Sequence, residues 1–159
     1  MGFGQSVEKN LFKLDFILPG ITYEHKITNK TTVVLNPFSG INGGWYGSYV
    51  YFSVLPSINL EFRYYYNLKR RVRLNKNIQN NSANYFAPRV MLEFPSIVNN
   101  YNDKTTFGAG IGGVYGIQRT YSSGIYILGE WGLGFWEENS LVFPILTFKM
   151  GYVFRRKIK

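Results

Sequence analysis

The sequence predicts an all-β protein: a closed, antiparallel, up-and-down transmembrane β-barrel of about eight strands. Three observations carry that expectation. Apolar and polar residues alternate over unusually long stretches, which is a strand signal that a 3.6-residue period cannot fit. Tyr (13), Phe (13) and Gly (17) are abundant beside only 17% charged residues, a mixture that favours strands and turns over helices. The charges that do fall on strands gather on the polar face in balanced number, as a narrow interior requires if every buried charge is to be paired.

Along the chain, residues 1–9 read as a flexible lead-in, 10–154 as a single β domain and 155–159 as a basic tail. The first segment, "NLFKLDFILPGITYEHKI", sets Phe12, Leu14, Phe16 and Leu18 against Lys13 and Asp15. After Pro19-Gly20 the parity flips, and Ile21, Tyr23 and Ile27 become the apolar set. A one-residue phase change needs a bulge or a turn, so the count is seven strands with a bulge and eight with a turn. "TTVVLNPF" follows across "TNK", and "SGINGGWYG" reads as a longer polar connection.

The clearest strand is "SYVYFSVLPSINLEFRYYYN", whose even positions from Val50 to Tyr66 are apolar while its odd ones include Ser53, Asn59, Glu61 and Arg63. "KRRVRLNKNIQNNSAN" is a long basic connection. "NYFAPRVMLEF" then opposes Phe86, Val90, Leu92 and Phe94 to Ala87, Arg89 and Glu93, and "PSIVNNYNDKT" is a polar loop. "TFGAGIGGVYGIQRTY" sets Ile111, Tyr115 and Ile117 against a face that is nearly all glycine. "GIYILGEWGLGFW" and "ILTFKMGYVF" repeat the design, with Trp131, Leu133 and Phe135, then Leu146, Phe148 and Met150, on the apolar side.

The apolar face of such a barrel lines the interior in a soluble binding protein and meets lipid in a membrane protein. The polar faces decide between them. They carry Lys13, Lys26, Arg63, Arg89 and Lys149 against Asp15, Glu24, Glu61, Glu93 and Glu130, five of each sign, which form a candidate charge network of the lumen. Between these charges stand mostly glycine, serine and tyrosine, which solubilise a surface poorly but suit a crowded small interior. Strands of roughly ten residues, tilted, are what a bilayer core demands. Aromatics at strand ends, Trp45, Tyr46, Tyr64, Tyr66, Trp136, Tyr152 and Phe154, read as interfacial girdles.

Composition excludes several functions. There is no cysteine and a single histidine, His25, so disulfides, thiolate sites and most zinc sites are out, and no metal or cofactor is expected. No run approaches the roughly 18 apolar residues of a membrane-spanning helix. The net charge of +9 is carried by two acid-free clusters: Lys69, Arg70, Arg71, Arg73 and Lys76, then Arg155, Arg156, Lys157 and Lys159. Strand parity puts both clusters on one side, as a basic rim for phosphate headgroups or a partner protein. Nucleic acid is not expected, because the neighbouring tyrosines alternate between faces and make no stacking platform. His25 invites a lipid-modifying enzyme as an alternative, yet parity sets it opposite Glu24 and no nucleophile is placed beside it. The glycine runs follow strand parity and precede no helix, so they do not read as phosphate loops.

"NLFKLDFILPGITYEHKI", "EFRYYYNLKRRVRLNKNIQNNSANYFA", "YGIQRTYSSG" and the alternating aromatics of the last strand together resemble the small outer-membrane β-barrel proteins of the Bacteroidetes lineage. The resemblance covers nearly the whole chain. It implies a bacterial outer-membrane location, a signal peptide already removed, so that Met1 stands as an initiator on the mature sequence, and no defined activity. One departure is that "RRKIK" follows the last aromatic, Phe154, where such strands usually end. The expectation is a non-enzymatic membrane protein with a plugged polar lumen, in contact with outer-membrane lipid and other outer-membrane proteins. It would serve as an anchor, a structural element or an accessory subunit. The alternatives are a soluble barrel for a hydrophobic ligand and the enzyme above.

Overall fold

The computed structural model of the protein describes residues 6–100, 106–137 and 141–154. Among the described residues nine strands form in chain order: β1 (Asn10–Asp15), β2 (Gly20–Lys26), β3 (Thr31–Tyr46), β4 (Tyr49–Tyr64), β5 (Asn84–Glu93), β6 (Val98–Asn99), β7 (Gly108–Thr120), β8 (Ile125–Trp136) and β9 (Leu141–Phe154). A short helix, α1 (Leu68–Arg73), and a 3-10 turn (Gln79–Asn81) lie between β4 and β5. Every pairing is antiparallel. Apart from β6, each strand pairs with the next, and β9 pairs back onto β1, so eight strands make a continuous ring. β6 adds two pairs to β4 beyond the end of β5, inside a segment expected to be loop. No helix among the described residues is long and apolar enough to cross a membrane.

The ring has two distinguishable ends. The helix end carries α1, the turns after β2 and β7, and both ends of the main described chain. The hairpin end carries the turns after β1 and β3. Residues 6–9, expected to be flexible, are tied to the helix end: Val7 is buried, its N–H donates to the Asn29 carbonyl at 3.0 Å, and the Glu8 N–H donates to Asn81 Oδ1 at 2.7 Å.

Pro19-Gly20 closes a turn rather than a bulge. Asp15 pairs with Gly20 across residues 16–19, which fixes the ring at eight strands and explains the parity flip. Glycine is required there by close approach, since a Cβ on Gly20 would lie 2.7 Å from the Pro37 carbonyl oxygen. "SGINGGWYG" is not a loop: β3 runs through it, and a two-residue turn at Gly47-Ser48, with Gly47 at φ +61°, leads into β4. Asn and Gly are poor strand formers, but the unbroken alternation of β4 opposite them supplies pairs such as Ile41 with Val54 and Trp45 with Val50. Likewise β9 starts at Leu141, four residues before the expected "ILTFKMGYVF". The basic connection contains α1, because Leu68 inserts its side chain into the buried cluster at the helix end and orders the segment around it.

The faces are inverted relative to a water-soluble sheet protein. Lys13, Glu24, Glu61, Arg63, Arg89 and Glu130 point into the ring and are buried, while Phe12, Leu35, Phe62, Phe86, Leu133 and Phe148 point out and are exposed. The inward glycines of β7 and β8 make room for large neighbours. A Cβ on Gly116 would lie 2.2 Å from Cζ of Tyr85, a fully buried ring held between the Arg63 guanidinium (4.4 Å to the ring centroid) and Tyr65 (5.3 Å between centroids). Tyr85 has nowhere to move. Gly116→Ala is therefore expected to destabilise the protein by about 1–3 kcal/mol through overpacking, measured by equilibrium unfolding in urea.

Candidate functional site

Parity alone delivers the charges to the interior, because side chains at i and i+2 of a strand share a face. Glu61 and Arg63 of β4 are such neighbours, and Arg63 Nε donates to Glu61 Oε2 at 2.6 Å. Glu61 also accepts from Arg89 Nη2 at 2.5 Å, and Arg89 in turn reaches Glu130 of β8. Arg63 Nη2 lies 3.5 Å from Glu130 Oε1, and its Nη1 lies 3.9 Å from Glu24. Lys13 of β1 donates to Glu24 and to Gln118 Oε1, each at 2.7 Å. One connected set of ions thus spans five strands.

A second group sits nearer the hairpin end. Asp15 accepts from Thr22 at 2.9 Å and Asn36 at 3.0 Å, takes a further bond from the Tyr126 hydroxyl, and faces Lys149 at 3.7 Å. Four buried cations (Lys13, Arg63, Arg89, Lys149) meet four buried anions (Asp15, Glu24, Glu61, Glu130), and the interior is neutral. Removing ions from water costs several kcal/mol each, which only pairing and full hydrogen bonding offset.

Two of the ten expected lumen charges are not part of this network. Lys26 is half-buried at the helix end of β2, where its Nζ donates to Ser6 Oγ at 3.3 Å. Glu93 is half-buried at the hairpin end of β5 and makes no ion pair among the described residues. It is therefore not a partner of Arg89, which is taken up by Glu61 and Glu130. Parity assigns a face but not a depth, and both residues stand at strand ends, outside the ionic middle of the interior.

The helix end is stoppered. Tyr65, just beyond β4, is fully buried and donates to Glu24 Oε1 at 2.6 Å; burial, together with the Glu24 carboxylate, pushes its phenol well above the ordinary tyrosine pKa. Asn81 Nδ2 donates to the same oxygen at 2.7 Å, and Gln118 Nε2 donates to the carbonyls of Asn80 (2.9 Å) and Asn81 (3.2 Å). Leu68, Val7, Leu11 and Ala83 pack around them. Sequence reasoning missed Tyr65, Tyr85, Gln118, Tyr126 and Asn81. Tyr85, Gln118 and Tyr126 were legible as inward positions of their strands. Asn81, from the loop, carried no periodic signal.

Of the aromatics expected as girdles, Tyr64, Tyr66, Tyr152 and Phe154 lie exposed on the outer face towards the helix end. Tyr66 meets Tyr115 through their hydroxyls at 2.8 Å, and Phe86, Tyr115 and Trp131 continue that row across three strands. Trp45 is 82% exposed near the tip of the β3–β4 hairpin, and the side chain of Tyr46 lies outside the described residues. Trp136 departs from the expectation. Its ring lies on the inner face over Gly108 and Gly110 and near Phe143, because parity on β8 turns it inward.

Among the described members of the basic rim, Lys69, Arg70, Arg73 and Lys76 are exposed at the helix end. Arg71 is folded back, donating to the Asn77 carbonyl through Nε (3.1 Å) and Nη2 (2.8 Å). Arg155, Arg156, Lys157 and Lys159 lie outside the described residues, although Phe154 brings the chain to the same end.

The interior chemistry is that of a closed electrostatic core. His25 stands on the outer side of β2 with its Nδ1 2.7 Å from Asn10 Oδ1, while Glu24 points inward. Among the described residues no group of His, Cys, Asp and Glu could hold a metal ion. Comparison with protein-family models, with curated proteins and with solved structures finds no match to this chain.

Proposed function

We propose that the chain is an eight-stranded β-barrel that crosses a bacterial outer membrane and acts there, without catalysis, as an anchor, a structural element or an accessory subunit of a larger assembly. The observation that carries the reading is the inverted wall: exposed apolar side chains surround a charged, neutralised interior on all eight strands of the ring. In water such a surface invites aggregation, whereas in a bilayer it is the required one. Followed once round the ring, the registers return to β1 displaced by about 12 residues, a stagger that corresponds to strands tilted by about 45°. At ~3.3 Å per residue, β8 (12 residues) and β9 (14 residues) would then rise about 28–33 Å, enough for a ~25 Å outer-membrane apolar band.

The stoppered helix end and the ion network packed beneath it argue for a plugged barrel and against an open diffusion pore. Lys69, Arg70, Arg73 and Lys76 would meet lipid phosphates at the periplasmic leaflet, each contributing about 1 kcal/mol. The outer wall and this rim are the surfaces left for a protein partner. The outer-membrane assignment is also supported by the sequence resemblance described above.

The test is gel migration of detergent-purified protein, boiled and unboiled, with an attempt to hold it in solution after detergent removal. A shift on boiling together with precipitation without detergent is the expected result. A stable detergent-free monomer with no shift would overturn the membrane reading and favour a soluble barrel.

A further inference from the structure

The wall of the ring is not of even height. β1 has six residues and β2 seven, and their hairpin turns back at residues 16–19. The last bond from β1 to β9 is Phe16 N–H to the Met150 carbonyl (2.9 Å), and the last from β3 to this hairpin is Ser39 N–H to the Pro19 carbonyl (3.0 Å). Beyond those points β9 from Val142 to Lys149 and β3 from Gly40 to Trp45 have no strand neighbour on the facing side among the described residues. At the tilt inferred above, the six residues of β1 rise only about 14 Å, about half of the apolar band. A lateral gap is left in the wall towards the hairpin end.

Behind the gap lies a cavity of about 460 Å³. Phe38 of β3 forms one lip and Phe143 and Ile145 of β9 the other, with Met91 and Trp136 behind, and no residue of β1 or β2 takes part. The gap is therefore one side of the cavity. Its lining is mixed: the lip residues, Met91 and Trp136 are apolar, while Ser57, Asn59, Thr147, Arg89 and the half-buried Glu93 bring polar groups to it. Arg89 borders the cavity, but its Nη2 already donates to Glu61 and Glu130 and its Nη1 lies 3.5 Å from Thr147 Oγ1, so its charge is neutralised within the network. At the β9 lip Pro144 has no N–H to present, which leaves the edge less polar than an ordinary strand edge.

We propose that an acyl chain of the surrounding lipid enters this cavity tail first through the gap between β3 and β9. The apolar lips of the gap face hydrocarbon, and a space of this volume with a mostly apolar lining and a few polar groups has the character of an ordinary ligand pocket. The inference rests on the membrane reading and names the lipid contact that reading requires.

Three tryptophans make a direct test: Trp131 points outward, Trp136 borders the cavity and Trp45 sits on the hairpin. Two versions of the full chain, each keeping one tryptophan and replacing the other two by phenylalanine, are reconstituted in phosphatidylcholine vesicles with or without bromine on the acyl chains. Trp131 alone should be quenched by the brominated lipid. Trp136 alone should also be quenched, by about twofold, with little quenching by aqueous iodide, and filling the cavity with Met91→Phe should restore at least about half of its emission. Ser57→Leu fills the same cavity should Met91→Phe fail to fold, as judged by the heat-dependent gel shift. Quenching of Trp131 but not Trp136, quenching of Trp136 that the filling variant leaves unchanged, or quenching of Trp136 by iodide instead of bromine would each overturn the proposal and leave the membrane reading standing. Absence of quenching at Trp131 would overturn both.

Discussion

Arg63→Met is expected to destabilise the protein by about 3–5 kcal/mol, enough to abolish folding of a marginal domain. Arg63 is almost fully buried and lies between Glu61, Glu130 and Glu24, with Gln118 Oε1 at 3.3 Å from Nη1. Methionine of similar length would fill the space but leave four buried carboxylates facing three cations. The penalty comes from the anions left behind more than from the bond lost, since an uncompensated charge in a dry interior has no water to turn to. Arg70→Met, at an exposed site on α1, is the control and should change stability by less than about 0.5 kcal/mol. Equilibrium unfolding in urea, followed by the gel shift or tryptophan emission, measures both. Equal effects of the two variants would mean that the interior ions are solvated and the network contributes little.

Leu133→Arg is the second, and it separates the two readings of the wall. Leu133 is 64% exposed on the outer face of β8 between Trp131 and Phe135. At the surface of a soluble protein such a change is nearly neutral and would improve solubility. Facing lipid near the middle of the wall it is expected to cost about 2–4 kcal/mol, because the guanidinium must leave water or thin the bilayer around it. Unfolding measured in lipid vesicles against the parent protein decides the matter. A neutral result would contradict lipid contact at this face.

Much of this arrangement was legible before any coordinates. The eight charges that meet inside, from Lys13 to Lys149, all sit at alternate positions flanked on at least one side by an apolar or aromatic residue, and the glycine face of "GAGIGG" already marked a crowded interior. Where reasoning from sequence fell short, the cause was local. "SGINGGWYG" looked like a loop because its composition is poor for strands, and pairing with β4 overrode that preference. Trp136 looked like a girdle residue because it ends a strand, yet it faces inward over Gly108 and Gly110. Lys26 and Glu93 had the right face and the wrong depth.

What the sequence determined by itself was therefore which side chains share a face, since a period of two is a property of the extended backbone and holds whatever the strand pairs with. What only the tertiary structure decided was which distant residues meet. Asn81 reaching Glu24 across 57 positions, the closure of β9 onto β1, and the gap above the short β1–β2 hairpin all follow from register and relative strand length. Those quantities belong to pairs of strands and not to any one of them. No single segment's pattern encodes them, and they are set only when the ring closes.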